Sequence, residues 1–292
     1  MLYQVRHRTR FRYAHPVTFA RCNLRLRPIE WAGQTLERYD LELSPAARIT
    51  GTRPIGYLGH VSRMVMERPT RELAIESRFR IRVDRPMPVP RADDATIAEI
   101  AVAARMTRDL GVESPANYLY PSPSIPLSAE ITAWCAEHLD ADRGVAEAGL
   151  ALATRIHDSF TYDGSATTVD TTPQEAFEKR HGVCQDFAQI MIAGLRGVGI
   201  PAAYVSGYLR TIPPPGKERL VGADATHAWV VIWCGAQRGW LGFDPTNSCM
   251  VGGDHIITAM GRDYADVAPI DGVFTGQDGQ KIDVSVDVEP IG

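Results

Sequence analysis

The chain has 292 residues, 45% of them hydrophobic and 23% charged, with a formal net charge of −4. That balance excludes a disordered or low-complexity chain; it is that of a globular protein with ample core, large enough for two domains. Five widely scattered cysteines, an odd number, exclude a disulfide framework and are expected of a reducing cytoplasm. The stretch from Met1 to Arg8 lacks the apolar run of a signal peptide, and no segment is apolar for long enough to span a bilayer. The expected location is therefore cytoplasmic, without a membrane partner.

The first region reads as β throughout. Tyr3, Val5, His7, Thr9, Phe11 and Tyr13 alternate with Gln4, Arg6, Arg8, Arg10 and Arg12. Cys22, Leu24 and Leu26 alternate with Asn23, Arg25 and Arg27, and Tyr39, Leu41 and Leu43 with Asp40 and Glu42. Ile75, Phe79, Ile81 and Val83 share a phase against Glu76, Arg78, Arg80 and Arg82. Period-two alternation with one wet face predicts antiparallel sheets, and several such strands predict a sandwich. Residues 1–85 hold 17 Arg, no Lys and 8 Asp plus Glu, a net of +9, which leaves −13 for residues 86–292. The arginines are spread over several strands without aromatic interleaving, so they read as the solvent face of a sheet rather than a nucleic-acid surface. Docking of the basic region on the acidic one is a further reading.

Arg85-Pro86-Met87-Pro88-Val89-Pro90 has the proline spacing of a semi-rigid linker. The expected division is a β domain over 1–85, a linker over 86–95 and a second domain over 96–292 that ends in a strand. Helical periodicity follows. Ile97, Ile100, Ala101 and Ala104 mark one helix; Ile131, Trp134, Cys135, His138 and Leu139 mark another, capped by Ser128. Ala148, Leu152, Ile156 and Phe160 mark a third, ending before Asp163-Gly164.

Thr172-Pro173-Gln174-Glu175 combines an N-cap, a proline at the first helical position and a capping-box glutamate. This short helix is expected to stop near His181-Gly182, with glycine supplying a left-handed end. A second helix then begins at or next to Cys184, its apolar stripe running through Phe187, Ile190, Met191, Gly194, Leu195 and Val198 until Gly199-Ile200-Pro201. Cys184 thus falls in a first helical turn. Free N–H groups and the positive helix end favour thiolate over thiol there and can hold an oxyanion. Asp186 reads as a capping or packing charge.

Residues 202–209, 226–233 and 240–243 read as strands, with a turn over 235–239 and Pro245 as terminator. Folding back the last two brings His227 and Asp244 to one face of neighbouring strands. The loop from Thr211 to Arg219 carries three prolines; it reads as a stiff connector, or as the rim of a cleft. Ile282, Val284, Val286 and Val288 form a closing strand that either sheet could accept. No Gly-rich phosphate loop, oxygen-rich calcium loop, C-x-x-C or H-x-x-x-H pair occurs, so no cofactor and no metal are expected. The remaining histidines, His255 among them, show no grouping.

A cysteine, a histidine and an aspartate in this order suit thiolate chemistry on amides: Cys184 attacks, His227 carries protons, Asp244 orients His227. The stretches Gly182-Val183-Cys184-Gln185-Asp186-Phe187-Ala188, Leu195 to Tyr208, Thr226-His227-Ala228-Trp229-Val230 and Gly242-Phe243-Asp244-Pro245-Thr246-Asn247 resemble, in register, the transglutaminase-like superfamily. The resemblance covers about Leu150 to Asn247; the first strands and the segment Gly261 to Val267 are similar to the bacterial two-domain members. It implies an α+β chain with an N-terminal antiparallel β-sandwich-like domain and a papain-like, transglutaminase-like core of helices on an antiparallel sheet. It also implies Cys184 as nucleophile, His227 as base and acid, and Asp244 as orienter. The superfamily holds transglutaminases, peptidases, amidases and inactive members alike. The expected activity is that of a cysteine peptidase or amidase on a peptide or protein amide substrate; the alternatives are a protein-glutamine transglutaminase and a non-catalytic peptide-binding protein.

Overall fold

The computed structural model describes residues 1–211, 225–276 and 279–291; of Ala225 only the backbone is described. In chain order the strands are β1 (Leu2–Val17), β2 (Phe19–Leu24), β3 (Gln34–Ser44), β4 (Arg48–Pro54), β5 (His60–Met66) and β6 (Thr70–Val83). Helices α1 (Ile97–Met106), α2 (Ala129–Ala136) and α3 (Val145–Ser159) follow, then β7 (Thr161–Tyr162), α4 (Pro173–Lys179), β8 (His181–Gly182) and α5 (Cys184–Gly197). The last third comprises β9 (Ala202–Leu209), β10 (Ala225–Trp233), β11 (Trp240–Asp244), β12 (Cys249–Met250), β13 (His255–Gly261), α6 (Tyr264–Val267), β14 (Ile270–Thr275) and β15 (Gln280–Pro290).

Two four-stranded antiparallel sheets, ordered β15-β1-β6-β3 and β14-β2-β5-β4, face each other as the expected sandwich. Tyr13, Val17, Leu24, Met64, Leu73 and Ile75 fill the space between them. The closing strand β15 joins β1, and β14 joins β2, so the end of the chain completes the sheets that its beginning starts.

The arginines alternate outward and are answered within the sheet. Glu76 alone takes Arg6 at 2.9 Å and Arg8 at 3.6 Å, and pairs with Arg78. Arg10 pairs with Glu72, Arg12 with Asp283 and Arg82 with Glu37. The arginines are thus a solvated face, paired in part within the sheet, and the region keeps its positive excess. Docking on the second domain is apolar instead: Tyr3, Val5, Phe79 and Ile81 pack with Tyr208 and Ile256. The Gln34 side chain also donates to Ile257 O and accepts from Ile257 N, both at 2.9 Å, closing the outer edge of β13.

The central sheet, ordered β12-β11-β10-β9-β13, lies between the sandwich on one face and the helices on the other. Ala228, Val230, Ile232 and Phe243 point to the helices, while Trp229 and Val231 point away, as period two requires. Helix α5 departs from the expected single apolar stripe: every residue from Gln185 to Arg196 is buried. Three layers enclose it, since α2 and α4 pack on the sides that β9 and β10 leave open. Gly194 permits the α2 contact, for a Cβ there would stand 2.2 Å from Cys135 Sγ. At the far end Arg196 is buried and donates to the carbonyls of Tyr118, Ala202 and Arg262, fixing the helix terminus. Helix α2 stops at Ala136, short of the expected His138 and Leu139.

Candidate active site at the N-terminus of α5

Helix α4 has the expected cap: Thr172 Oγ1 accepts from Glu175 N and Glu175 reaches back to Thr172 N. It ends one step earlier than expected, with Arg180 rather than a glycine in the left-handed conformation, φ 57°. The Arg180 guanidinium, 3.9 Å from the Phe177 ring centroid, gives that residue a second anchor. Gly182 has a different task. A Cβ there would meet Asp186 Oδ2 at 2.7 Å, so glycine lets the chain pass over the first turn of α5. Asp186 is the expected capping charge: its carboxylate accepts from Val183 N at 2.8 Å and Thr167 Oγ1 at 2.7 Å.

These contacts place Cys184 at the first position of α5, half-buried. The first-turn N–H groups have no helical acceptor. Tyr162 and Tyr204 are near enough that charge on the sulfur adds to the burial that raises both phenols. The other four thiols sit in unreactive settings. Burial pushes Cys22 and Cys249 up to about 11, and Cys135 and Cys234 up to about 12.

His227 and Asp244 meet as expected, along a diagonal of the β10–β11 ladder. Val230 pairs with Phe243, which sets Asp244 level with Trp229, two residues beyond His227 on the same face. Nε2 of His227 lies 2.8 Å from Oδ2 of Asp244. The carboxylate is fully buried and saturated with donors. Oδ1 accepts from the N–H groups of Thr246 (2.9 Å) and Asn247 (3.1 Å); Oδ2 also faces Asn247 Nδ2 (2.7 Å) and His255 Nε2 (3.1 Å). Burial raises the Asp244 pKa, but the hydrogen bonds from His227 and His255 and the His227 charge outweigh it and hold the acid well below the usual carboxylate range. Burial likewise lowers the His227 pKa, and hydrogen bonding and charge from Asp244 and Cys184 overcome it, holding the imidazolium up to about 10.

Among the described residues His227, Asp244 and His255 thus form a close group of three that contains no sulfur; Cys184 enters through its hydrogen bonding and charge, which help to raise the His227 pKa. This corrects the expectation that the other histidines stand apart. The signal lay in His255-Ile256-Ile257-Thr258-Ala259-Met260, an apolar run whose strand, β13, begins at the same end of the sheet as the His227 strand. Asn247, quoted only as part of a motif, is the other residue brought to the acid.

The three ligand-type atoms of His227, Asp244 and His255 lie within 4.8 Å of one another, a donor set that a divalent metal could use. Five N–H donors already occupy the carboxylate, more than its roughly four lone-pair sites. The cluster fits a hydrogen-bond network, and a metal would have to displace the Nε2 protons. A cavity of about 440 Å³ opens beside it, lined by Asn247, Cys249, His255, Leu209, Arg210 and Met87. Another of about 450 Å³, under the Pro86–Val89 linker against Trp229 and Trp240, includes none of Cys184, His227 and Asp244. Apart from Thr211, the proline loop expected at 211–219 lies outside the described residues.

Comparison with known proteins agrees with this fold. The profile of the bacterial transglutaminase-like N-terminal region matches residues 3–82, and that of the transglutaminase-like superfamily matches residues 127–245. The uncharacterized protein Rv2569c of Mycobacterium tuberculosis is 38% identical over 294 residues, covering 99% of this chain and 92% of that protein. A crystal structure of a provisionally named cysteine protease from Cytophaga hutchinsonii superposes with a TM-score of 0.78 at 18% identity, over 100% of this chain and 92% of that one. The periplasmic domain of TgpA from Pseudomonas aeruginosa, bound to ethylmercury, matches at a TM-score of 0.41 and 16% identity, over 82% of this chain and 90% of that one.

The cytoplasmic expectation is not upheld: the TgpA domain is described as periplasmic. The cysteine argument behind it does not hold physically, because burial such as that of Cys135 and Cys234 protects thiols in any compartment. Among the described residues no helix is long and apolar enough to cross a membrane. With both domains matched and a relative aligned from end to end, this chain belongs to the transglutaminase-like superfamily, in its bacterial two-domain form.

Proposed function

We propose that this protein is a cysteine-nucleophile acyl-transfer enzyme that cleaves peptide or glutamine-type amide bonds through a thioester, acting as a peptidase or amidase. The observation that carries the reading is His227: Asp244 grips its Nε2 at 2.8 Å, and its charge is coupled to Cys184 at the head of α5. Superfamily membership and the protease-like fold add to it.

In this mechanism the Cys184 sulfur adds to the amide carbonyl while first-turn N–H groups of α5 hold the oxyanion. The C–N bond breaks as the His227 imidazolium gives its proton to the departing amine, leaving an acyl-sulfur bond. Neutral His227 then takes a proton from water, the oxygen adds to the thioester, and the sulfur leaves. Asp244 stays ionised throughout, orienting the ring and stabilising its charged form.

The test is to incubate a glutamine-containing peptide library with the protein, with and without a primary amine, and to read masses. Shortened or deamidated peptides, with an acylated Cys184 trapped on rapid acid quench, are expected. Products that carry the amine instead would assign a transglutaminase. Unchanged peptides with tight retention on the protein would leave a binding protein.

A further inference from the structure

Resting on that reading, we propose that His255 is a positioning residue: an imidazole whose Nε2–H fixes the Asp244 carboxylate in the rotation that receives His227. His255 comes from β13 and meets the Asp244 carboxylate, which extends from β11, over the intervening β9 and β10. The crossing is open because Gly207, which pairs with His227, has no side chain. A Cβ there would stand 2.5 Å from Trp229 Cη2 and 2.1 Å from Ile256 O. Side chains of β10 and β13 therefore meet over a bare stretch of β9. The Trp229 indole packs edge-on against the His255 ring, with centroids 5.2 Å apart, and also neighbours the His227 ring at 6.0 Å.

The two oxygens of Asp244 are held differently. Backbone N–H groups of Thr246 and Asn247 hold Oδ1, whereas only side chains (His227, Asn247 and His255) hold Oδ2. Of these, His255 is the one anchored in a strand beyond the β10–β11 hairpin. It fixes Oδ2 independently of the ring that Oδ2 must orient.

The protonation state follows from the partners. A carboxylate only accepts, so Nε2 of His255 donates. Its Nδ1 is buried and has no hydrogen-bond partner among the described residues. The charged or titratable groups around the ring are Asp244, His227, the Cys249 thiol and the adjoining Asp254, whose carboxylate engages Arg210 at 3.3 Å and Tyr3 at 2.9 Å. His255 thus adds a donor to Oδ2 from outside the β10–β11 hairpin.

The experiment combines imidazole ¹⁵N NMR of the wild type with iodoacetamide labelling of Cys184 in His255→Phe and His255→Gln. NMR at neutral pH should find the His255 proton on Nε2, hydrogen-bonded to Asp244. H255F, which keeps a ring but no donor, should melt cooperatively yet label Cys184 about tenfold more slowly, and H255Q should recover most of that rate. A His255 that carries no proton on Nε2 overturns the proposal, as does a folded H255F that labels like the wild type or an H255Q as slow as H255F. Should wild-type Cys184 label no faster than the other thiols, the parent reading falls and this one with it.

Discussion

Oδ2 of Asp244 stands 2.8 Å from Nε2 of His227 along a diagonal of two antiparallel strands. The short strand β11 ends at this aspartate, and the turn that follows supplies two backbone donors to its other oxygen. The hydrogen bond and the turn are one unit, so a change at Asp244 affects both.

Asp244→Asn should keep the hairpin but remove the charge. Burial, the largest influence on His227, would then be opposed by Cys184 without the anion, and the imidazole pKa would fall. An NMR titration of His227 should show this fall from about 10, and amide cleavage should drop by about 10³-fold or more. A His227 titration unchanged in D244N would break the link.

Stability should follow pH in two limbs. His227 is raised in the folded state, so its contribution is complete below the unfolded value of 6.5 and lost as pH rises through about 10. Asp244 is depressed, so its contribution is present above the unfolded 3.8 and lost as pH falls through its lower folded value. Urea unfolding should be hardest between these limbs and weaken by more than ~1 kcal/mol toward the alkaline end. D244N should lack most of that alkaline decline.

Two glycines separate folding from chemistry. Gly194→Ala drives a methyl into Cys135 at the α2 contact, away from the site, and should cost about 1–3 kcal/mol of stability, read as a lower Tm, with the Cys184 labelling rate preserved. Gly182→Ala pushes on Asp186, whose carboxylate ties down Val183 beside Cys184. It should lower the Tm and slow labelling together.

Glu76→Gln removes the acid shared by Arg6, Arg8 and Arg78 on the outer face of the sandwich. The loss in stability should be only about 1 kcal/mol, since the guanidiniums remain hydrated. Retention on a heparin column at physiological salt should rise from the wild type to the variant, because the variant loses the one carboxylate that Arg6, Arg8 and Arg78 share.

Much of this was legible in the sequence because local signals agreed with tertiary ones. The Thr172 capping box, the Cys184 helix start, the alternation in β1 and β6 and the His227–Asp244 hairpin all rest on short-range periodicity. What escaped was set by partners remote in sequence. His255 belongs to the site through its contact across bare Gly207, and β14 gains its place by pairing with β2, some 250 residues earlier. The left-handed residue at the end of α4 is Arg180, held by its packing over Phe177, where local propensity favours glycine. The full burial of α5 likewise reflects three layers closing over it rather than one stripe in its own sequence.

The central claim concerns one sulfur among five, and competitive labelling tests it most directly. Wild type and His227→Ala are exposed to limiting iodoacetamide at mildly acidic pH, and each cysteine is quantified by peptide mass. The account predicts that Cys184 is alkylated first by a wide margin and that H227A slows it at least tenfold. Five thiols reacting slowly and alike, or a Cys184 rate indifferent to His227, would contradict it.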